Sequence, residues 1–133
     1  MLQKIILLSL ILILNGCFSD DEYLLCNSQD PQSYCYLPAP GSNIYSYSPY
    51  EIIVTDNLIN EDDPQINNAE SLQISRLSDS LFDSIYIVPI IDKTFQFIDS
   101  ATINDSYQYE MAYINFDNET SETSQTDTLI HMF

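Results

Sequence analysis

The sequence predicts an all-β protein, a small antiparallel β-sandwich that occupies residues 49–133. From residue 50 onwards, short segments rich in β-branched and aromatic residues recur at intervals of roughly 8–15 residues, with turn-forming residues between them. No segment of this region has the i, i+3, i+4 apolar spacing of a long helix. Many short strands without helices are typical of a sandwich, because each strand must bury one apolar face against another sheet.

The N-terminal residues have the three parts of a secretory signal. Residues 1–4 carry one positive charge, residues 5–14 form an almost unbroken apolar run, and a small residue, Gly16, precedes Cys17. The apolar run is shorter than the roughly 20 residues that a membrane-spanning helix needs. We therefore expect residues 1–16 to be a signal peptide that is removed on export.

The residues around the expected cleavage site point to a lipid anchor. Leu14, Asn15, Gly16 and Cys17 resemble the lipobox of bacterial lipoproteins, although a smaller residue is commoner at the position of Asn15. In that family a lipid is attached to the cysteine thiol, and the cysteine becomes the first residue of the mature chain. The resemblance implies lipidation of Cys17 and firm attachment to a membrane, because several acyl chains bind a bilayer far more strongly than one. The alternative is an ordinary signal peptide followed by an unrelated cysteine.

The residues after Cys17 bear on the destination. In lipoproteins, an aspartate directly after the cysteine tends to retain the protein on the inner membrane, and here Phe18 stands there. The resemblance therefore implies the outer membrane. The acidic residues 20–22 are similar to the tether motif that sends some lipoproteins to the cell surface. A solvated linker explains them equally well, so surface exposure stays open.

Residues 17–48 are predicted to form a lipidated tether that a disulfide pins. The stretch is rich in Ser, Asp, Asn and Pro, which is typical of turns and loops. Cys26 and Cys35 remain as a pair once Cys17 is lipidated, and such a pair in an exported chain favours a disulfide. The stretch also contains tyrosines, which we expect to pack on the domain, with carbohydrate stacking as the alternative. These tyrosines are Tyr23, Tyr34, Tyr36, Tyr45 and Tyr47.

Six segments of the domain have strand-like patterns. Pro89 lies within one of them and lacks a backbone donor, which predicts an edge position or a bulge. A short helical turn within residues 69–82 is an alternative to strand there. Because glycine is almost absent, turn positions with positive φ are expected to fall to Asn and Asp, at Asn104-Asp105 and Asp117-Asn118. The predicted strands cover residues 50–55, 71–77, 84–91, 94–98, 107–115 and 126–132.

The C-terminal half resembles a fibronectin type III domain. Phe97 and Asp99, followed by a tight turn into Tyr107, Tyr109 and Met111, are similar to the E and F strands of that family. The resemblance implies a corner tyrosine at Tyr107, whose hydroxyl bonds to upstream backbone. The tryptophan that is usual in the family is missing. The Arg-Gly-Asp tripeptide is also missing, so the adhesive motif of the family cannot be carried over. An immunoglobulin-like sandwich outside the family is the alternative.

Charge restricts the partners of the mature chain. All 20 Asp and Glu residues follow Cys17, whereas Arg76 and Lys93 are the only basic residues that do. Such a surface repels phosphate groups, because contacts to them need Lys and Arg. We therefore expect no nucleic-acid partner.

No motif indicates catalysis or a cofactor. His131 is the only histidine and is expected to be an ordinary strand residue, since no nucleophile elbow or triad accompanies it. The loop residues Glu61, Asp62 and Asp63 are weak candidates for a calcium site, and a solvated loop is the expected role. We predict a chain that is not an enzyme and needs no cofactor.

The expected role is a non-catalytic binding or scaffolding module of the cell envelope, anchored by lipid, with a protein or glycan partner that the sequence leaves unknown. The loops at residues 56–68 and 116–125 are the candidate binding surfaces, because sandwich domains commonly bind through loops or exposed edge strands. A carbohydrate-binding or hydrolase-accessory module and a structural subunit of an envelope complex remain as alternatives.

Overall fold

The computed structural model describes residues 26–77 and 84–133. The predicted signal peptide, the lipidation residue Cys17, the acidic residues 20–22 and Tyr23 lie outside the described residues. A short 3-10 helix, Pro64–Asn68, precedes the third strand. The strands are β1 Ser42–Ser48, β2 Glu51–Asp56, β3 Ala69–Arg76, β4 Ile85–Pro89, β5 Gln96–Ser100, β6 Ser106–Tyr107, β7 Tyr109–Asn115, β8 Ser124–Gln125 and β9 Leu129–Ile130.

The strands form antiparallel sheets that pack face to face. One sheet has the order β1-β2-β5, the second has the order β4-β3-β7-β8, and β6 pairs with β9. Ile52 and Val54 of β2 share one hydrophobic core with Leu72 and Ile74 of β3. The predicted all-β antiparallel sandwich is therefore confirmed. In the described part of the chain, no helix is long and apolar enough to cross a bilayer.

The central strand β7 contributes the largest side chains of the core. Tyr109, Met111 and Tyr113 are fully buried, as the period-two alternation of a strand predicts. Tyr107, two residues earlier, accepts a hydrogen bond from the backbone N–H of Thr102 at 2.7 Å. The hydrogen bond expected of a corner tyrosine is therefore present.

Two segments differ from the sequence expectation. Residues 42–48, at the end of the predicted tether, form β1 and pair with β2. Of the C-terminal segment predicted as one strand, residues 126–132, only Leu129–Ile130 form a strand, β9, which pairs with β6, whereas β8 precedes that segment and pairs with β7. Thr126 lies between these two strands, with its hydroxyl accepting a hydrogen bond from the Tyr109 N–H. The helical alternative for residues 69–82 is wrong for residues 69–76, which are β3.

In this glycine-poor chain, residues other than glycine occupy the turn positions that have positive φ. In each predicted pair the asparagine takes the positive φ, with 74° at Asn104 and 62° at Asn118, while Asp105 and Asp117 do not. Asp92 also has positive φ and is of the expected residue type, whereas Leu58 and Lys93 have positive φ that their side chains did not signal. β4 is the outermost strand of its sheet, so the predicted edge position of Pro89 is confirmed.

Candidate functional site

The outer surface of the β1-β2-β5 sheet carries a row of aromatic and aliphatic side chains. Ile44 of β1 packs against the core, so its neighbours Tyr45 and Tyr47 point to the opposite side, away from the second sheet. They are 44% and 55% exposed. Tyr50, in the turn that follows β1, is 77% exposed. We call the surface formed by Tyr45, Tyr47, Ile53 and Ile98 the tyrosine face.

Cross-strand pairing fixes the positions of these side chains. Ile53 lies opposite Tyr45 on one side and opposite Ile98 on the other. It is only 3% exposed although it does not belong to the core between the sheets, because its two neighbours cover it. The Ile53 side chain therefore packs beside Tyr45 and limits the rotamers that the tyrosine ring can adopt.

Polar side chains flank the tyrosine face. Asn43, Thr55 and Gln96 form one cross-strand row beside it, and Glu51 pairs with Ser100 on the other side. Glu51 is the one charged side chain of these rows, and its carboxylate accepts a hydrogen bond from the Ser48 hydroxyl at 3.0 Å. The surface can thus stack flat ligand rings and offer amide and hydroxyl groups, and it has no cation for an anionic ligand.

The predicted disulfide is confirmed, since Cys26 is bonded to Cys35. The loop that it closes docks on one of the candidate binding loops. The Ser28 N–H donates to the Glu119 carboxylate at 3.0 Å, and the Ser28 hydroxyl donates to the carbonyl of Thr120. Part of the 116–125 loop is consequently covered, which reduces the surface that it can offer a partner.

The acidic residues proposed for calcium do not form a common group. Glu61 and Asp62 are exposed, and Asp63 caps the 3-10 helix by accepting a hydrogen bond from the Gln65 N–H at 2.9 Å. Within residues 26–77 and 84–133, one set of three potential ligand atoms lies within 4.8 Å, and it consists of Cys26, Cys35 and Asp117. Its two sulfurs are joined in the disulfide, so they offer no thiolate to a metal.

His131 has a more specific position than sequence reasoning assigned to it. It follows β9 rather than lying within it, and it is fully buried. Its Nε2 donates to the carbonyl of Pro49 at 2.9 Å, and its Nδ1 is 2.8 Å from the Ser46 hydroxyl. A carbonyl can only accept, so Nε2 carries a proton, while Nδ1 shares a second hydrogen bond with the Ser46 hydroxyl. His131 therefore ties the C-terminus to β1, and this is a structural role.

A polar cluster of Asp99, Arg76 and Tyr109 joins the two large sheets. Asp99 of β5 accepts hydrogen bonds from Arg76 of β3 and from the hydroxyl of Tyr109 of β7, both at 2.5 Å. Burial lowers the pKa of Arg76, but the hydrogen bonds and charge interactions with Asp99 and Tyr109 together outweigh that effect and raise the pKa above its ordinary value. Burial, aided by Asp99, also raises the pKa of Tyr109, so its hydroxyl stays protonated and donates. The guanidinium also lies over the ring of Tyr107, 4.9 Å from its centroid.

Comparisons with known proteins add little. No family model and no curated protein matches the chain. A solved structure described as "Crystal structure of Br derivative BhCBM56" is similar over 69% of this chain and 89% of that chain, with 8% sequence identity and a TM-score of 0.43. At that identity and score the similarity carries no argument, so the function is inferred from the residues of this chain.

Proposed function

We propose that this chain is a non-catalytic binding module of the cell envelope, held on a membrane by lipid on Cys17, and that it contacts its ligand through the tyrosine face. The observation that carries the proposal is the pair Tyr45 and Tyr47, which hold large aromatic surfaces in water on the outer side of the β1-β2-β5 sheet. Exposed apolar patches bounded by polar residues mark interaction sites.

The composition of the tyrosine face favours a neutral polysaccharide as the ligand. Aromatic rings bind the C–H faces of sugar rings by dispersion, and alternate residues of a strand are roughly 6.6 Å apart, so Tyr45 and Tyr47 can contact consecutive sugar units. Amide and hydroxyl groups of Asn43, Thr55 and Gln96 are suited to sugar hydroxyls. The acidic excess of the chain opposes anionic polymers.

Binding to insoluble neutral polysaccharides tests this assignment. Cellulose, chitin and a β-glucan are incubated with the mature chain, and the bound fraction is measured after sedimentation. The double variant Tyr45→Ala/Tyr47→Ala is expected to lose affinity by about tenfold or more, because two stacking contacts are removed. Tyr34→Ala is the matched control, since the Tyr34 side chain is 58% exposed outside the tyrosine face. Equal binding by the two variants, or no binding to any of the polymers, would refute the polysaccharide assignment.

The membrane anchor is tested separately. Mass spectrometry of the mature protein is expected to find Cys17 as an acylated first residue, in the outer-membrane fraction, and Cys17→Ser is expected to release the protein from membranes. A free thiol at Cys17 in the purified membrane protein would contradict the anchor. This result does not depend on the polysaccharide assay, so the two parts of the proposal can fail independently.

A structural role within an envelope complex is the second candidate function. It is favoured by the uncharged edge strand β4, whose outer side pairs with no other strand among the residues that the structure describes.

A further inference from the structure

Among the described residues, no strand pairs with the outer edge of β4. β4 pairs with β3 on one side, with Ile87 opposite Gln73. The Ile90 N–H donates to the carbonyl of Glu70, which sets the alternation of the antiparallel ladder. Every second residue of β4 is bonded to β3, so the N–H and C=O groups of Ile85 and Ile87 point to the open side. In residues 26–77 and 84–133 no strand pairs with them.

This edge lacks most of the usual protection against strand addition. Ile85 and Ile87 are 61% and 60% exposed, and residues 85–91 contain no charged side chain. Proteins commonly block edge strands with lysine, proline or a bulge. Here Pro89 blocks one end of β4 and leaves the rest of the strand able to pair.

A shallow hollow of about 450 Å³ lies beside this edge on the outer face of the sheet. Apolar atoms of Ile87 and Pro89 contribute to it, and Glu70 places an exposed carboxylate there. We call this depression the β4 hollow. Its lining residues are Glu70, Ser71, Ile87, Pro89, Ile114 and Asn118.

We propose that β4 and the β4 hollow bind an extended, basic segment of a partner protein, which joins the sheet as an additional antiparallel strand. Backbone groups of the segment pair with Ile85 and Ile87. A lysine or arginine of the segment lays its methylene groups on Ile87 and Pro89 and brings its charge to Glu70. Charge identifies the partner as basic, because the chain after Cys17 has 20 acidic and two basic residues. A second copy of this chain would bring the same acidic excess to the interface.

Peptide titration of the full mature chain in detergent tests the proposal. The probe is a capped nine-residue peptide of alternating valine and threonine with a lysine at each end, and a second peptide carries glutamates at the ends. The lysine peptide is expected to bind and to slow hydrogen exchange at the Ile85 and Ile87 amides. Glu70→Lys is expected to lower the affinity for the lysine peptide about fivefold or more. Asp127→Lys is the matched control, because this exposed residue lies between β8 and β9 and the charge change is the same.

A second variant separates the backbone contact from the charge. Ile87→Pro removes the outward N–H without removing a bond to β3. It is expected to lower the affinity for the lysine peptide about tenfold or more. If it does not fold, the Glu70→Lys comparison decides alone. Equal binding of the lysine and glutamate peptides, or equal affinity of Glu70→Lys and Asp127→Lys, would overturn the proposal. A concentration-dependent dimer that Ile87→Lys abolishes would also overturn it, because a second copy would then occupy the edge.

Discussion

Replacing Asp99 by alanine removes the carboxylate that joins the β1-β2-β5 sheet to the β4-β3-β7-β8 sheet. Its Oδ2 accepts from both Arg76 and Tyr109. The Asp99 side chain is only 10% exposed and that of Arg76 is 35% exposed. The Arg76 and Tyr109 donors are thus in different environments. The loss of the Asp99 acceptor therefore has a different free-energy cost for each of them.

The magnitude follows from burial. Tyr109 is fully buried, so its hydroxyl would lose the hydrogen bond to Asp99 with no access to water, at a cost of about 1–3 kcal/mol. The guanidinium of Arg76 is partly hydrated and also bonds to the carbonyl of Ser100, so losing the ion pair costs about 1 kcal/mol at most. We expect Asp99→Ala to lower the free energy of unfolding by about 3 kcal/mol.

Urea unfolding followed by circular dichroism measures this loss, with Asp127→Ala as an exposed aspartate control. A double-mutant cycle with Tyr109→Phe separates the contributions of the two donors. Tyr109→Phe alone should lower the free energy of unfolding by about 1 kcal/mol or more, because its bond to Asp99 is lost. In the Asp99→Ala background the same substitution should lower it by almost nothing. If Asp99→Ala lowers the free energy of unfolding by less than 1 kcal/mol, or if the two substitutions are additive, the reasoning about this cluster is wrong.

Three further substitutions have defined outcomes. His131→Ala removes a fully buried ring that bonds to the half-buried Ser46 hydroxyl and to the Pro49 carbonyl, and it opens a cavity, so it should lower the free energy of unfolding in urea by about 3 kcal/mol. Burial raises the pKa of Asp56, so Asp56→Asn should raise the free energy of unfolding at pH 7, and this gain should vanish below the ordinary pKa of 3.8, where the carboxyl is protonated in both states. Replacing Cys26 and Cys35 by serine should cost about 2–3 kcal/mol, measured against the oxidised protein, and equal stability would refute this.

Much of the fold could be predicted from local patterns. The alternation of apolar and polar residues in 71–77 and 107–115 predicts strands, and β3 and β7, which cover most of these segments, are the inner strands of one sheet, whereas Tyr107 belongs to β6. A strand exposes side chains to two different environments, and period-two patterning records that difference directly. The corner position of Tyr107 followed from the family resemblance, and its bond to Thr102 is present.

β1 was harder to predict because its composition is that of a loop. Its inward positions hold Ser42, Ile44 and Ser46, so only one of them is a large apolar residue, and its pairing with β2 shifts register before Ser48. The inward serines are compatible with a strand because the site is partly polar: Ser46 bonds to His131, which comes from the far end of the sequence. Such a long-range pair leaves no local signal, and the same is true of Arg76 and Asp99.

The candidate site was only partly foreseen. The tyrosines of the tether region were expected to pack on the domain, whereas Tyr45 and Tyr47 are about half exposed. Their common face becomes visible once β1 is known to be a strand, because alternation then places both rings on one side. The loops proposed as binding surfaces could not be ranked without the structure, since the docking of the disulfide loop on Glu119 and Thr120 depends on tertiary contacts.

The most direct test of the central claim is an NMR titration of the mature chain with a soluble oligosaccharide of whichever neutral polymer it binds. The account predicts that the ring resonances of Tyr45 and Tyr47 shift, while those of Tyr34 and Tyr86, which are also exposed, stay unchanged. Shifts confined to residues 116–125 or to β4, with Tyr45 and Tyr47 unaffected, would contradict it.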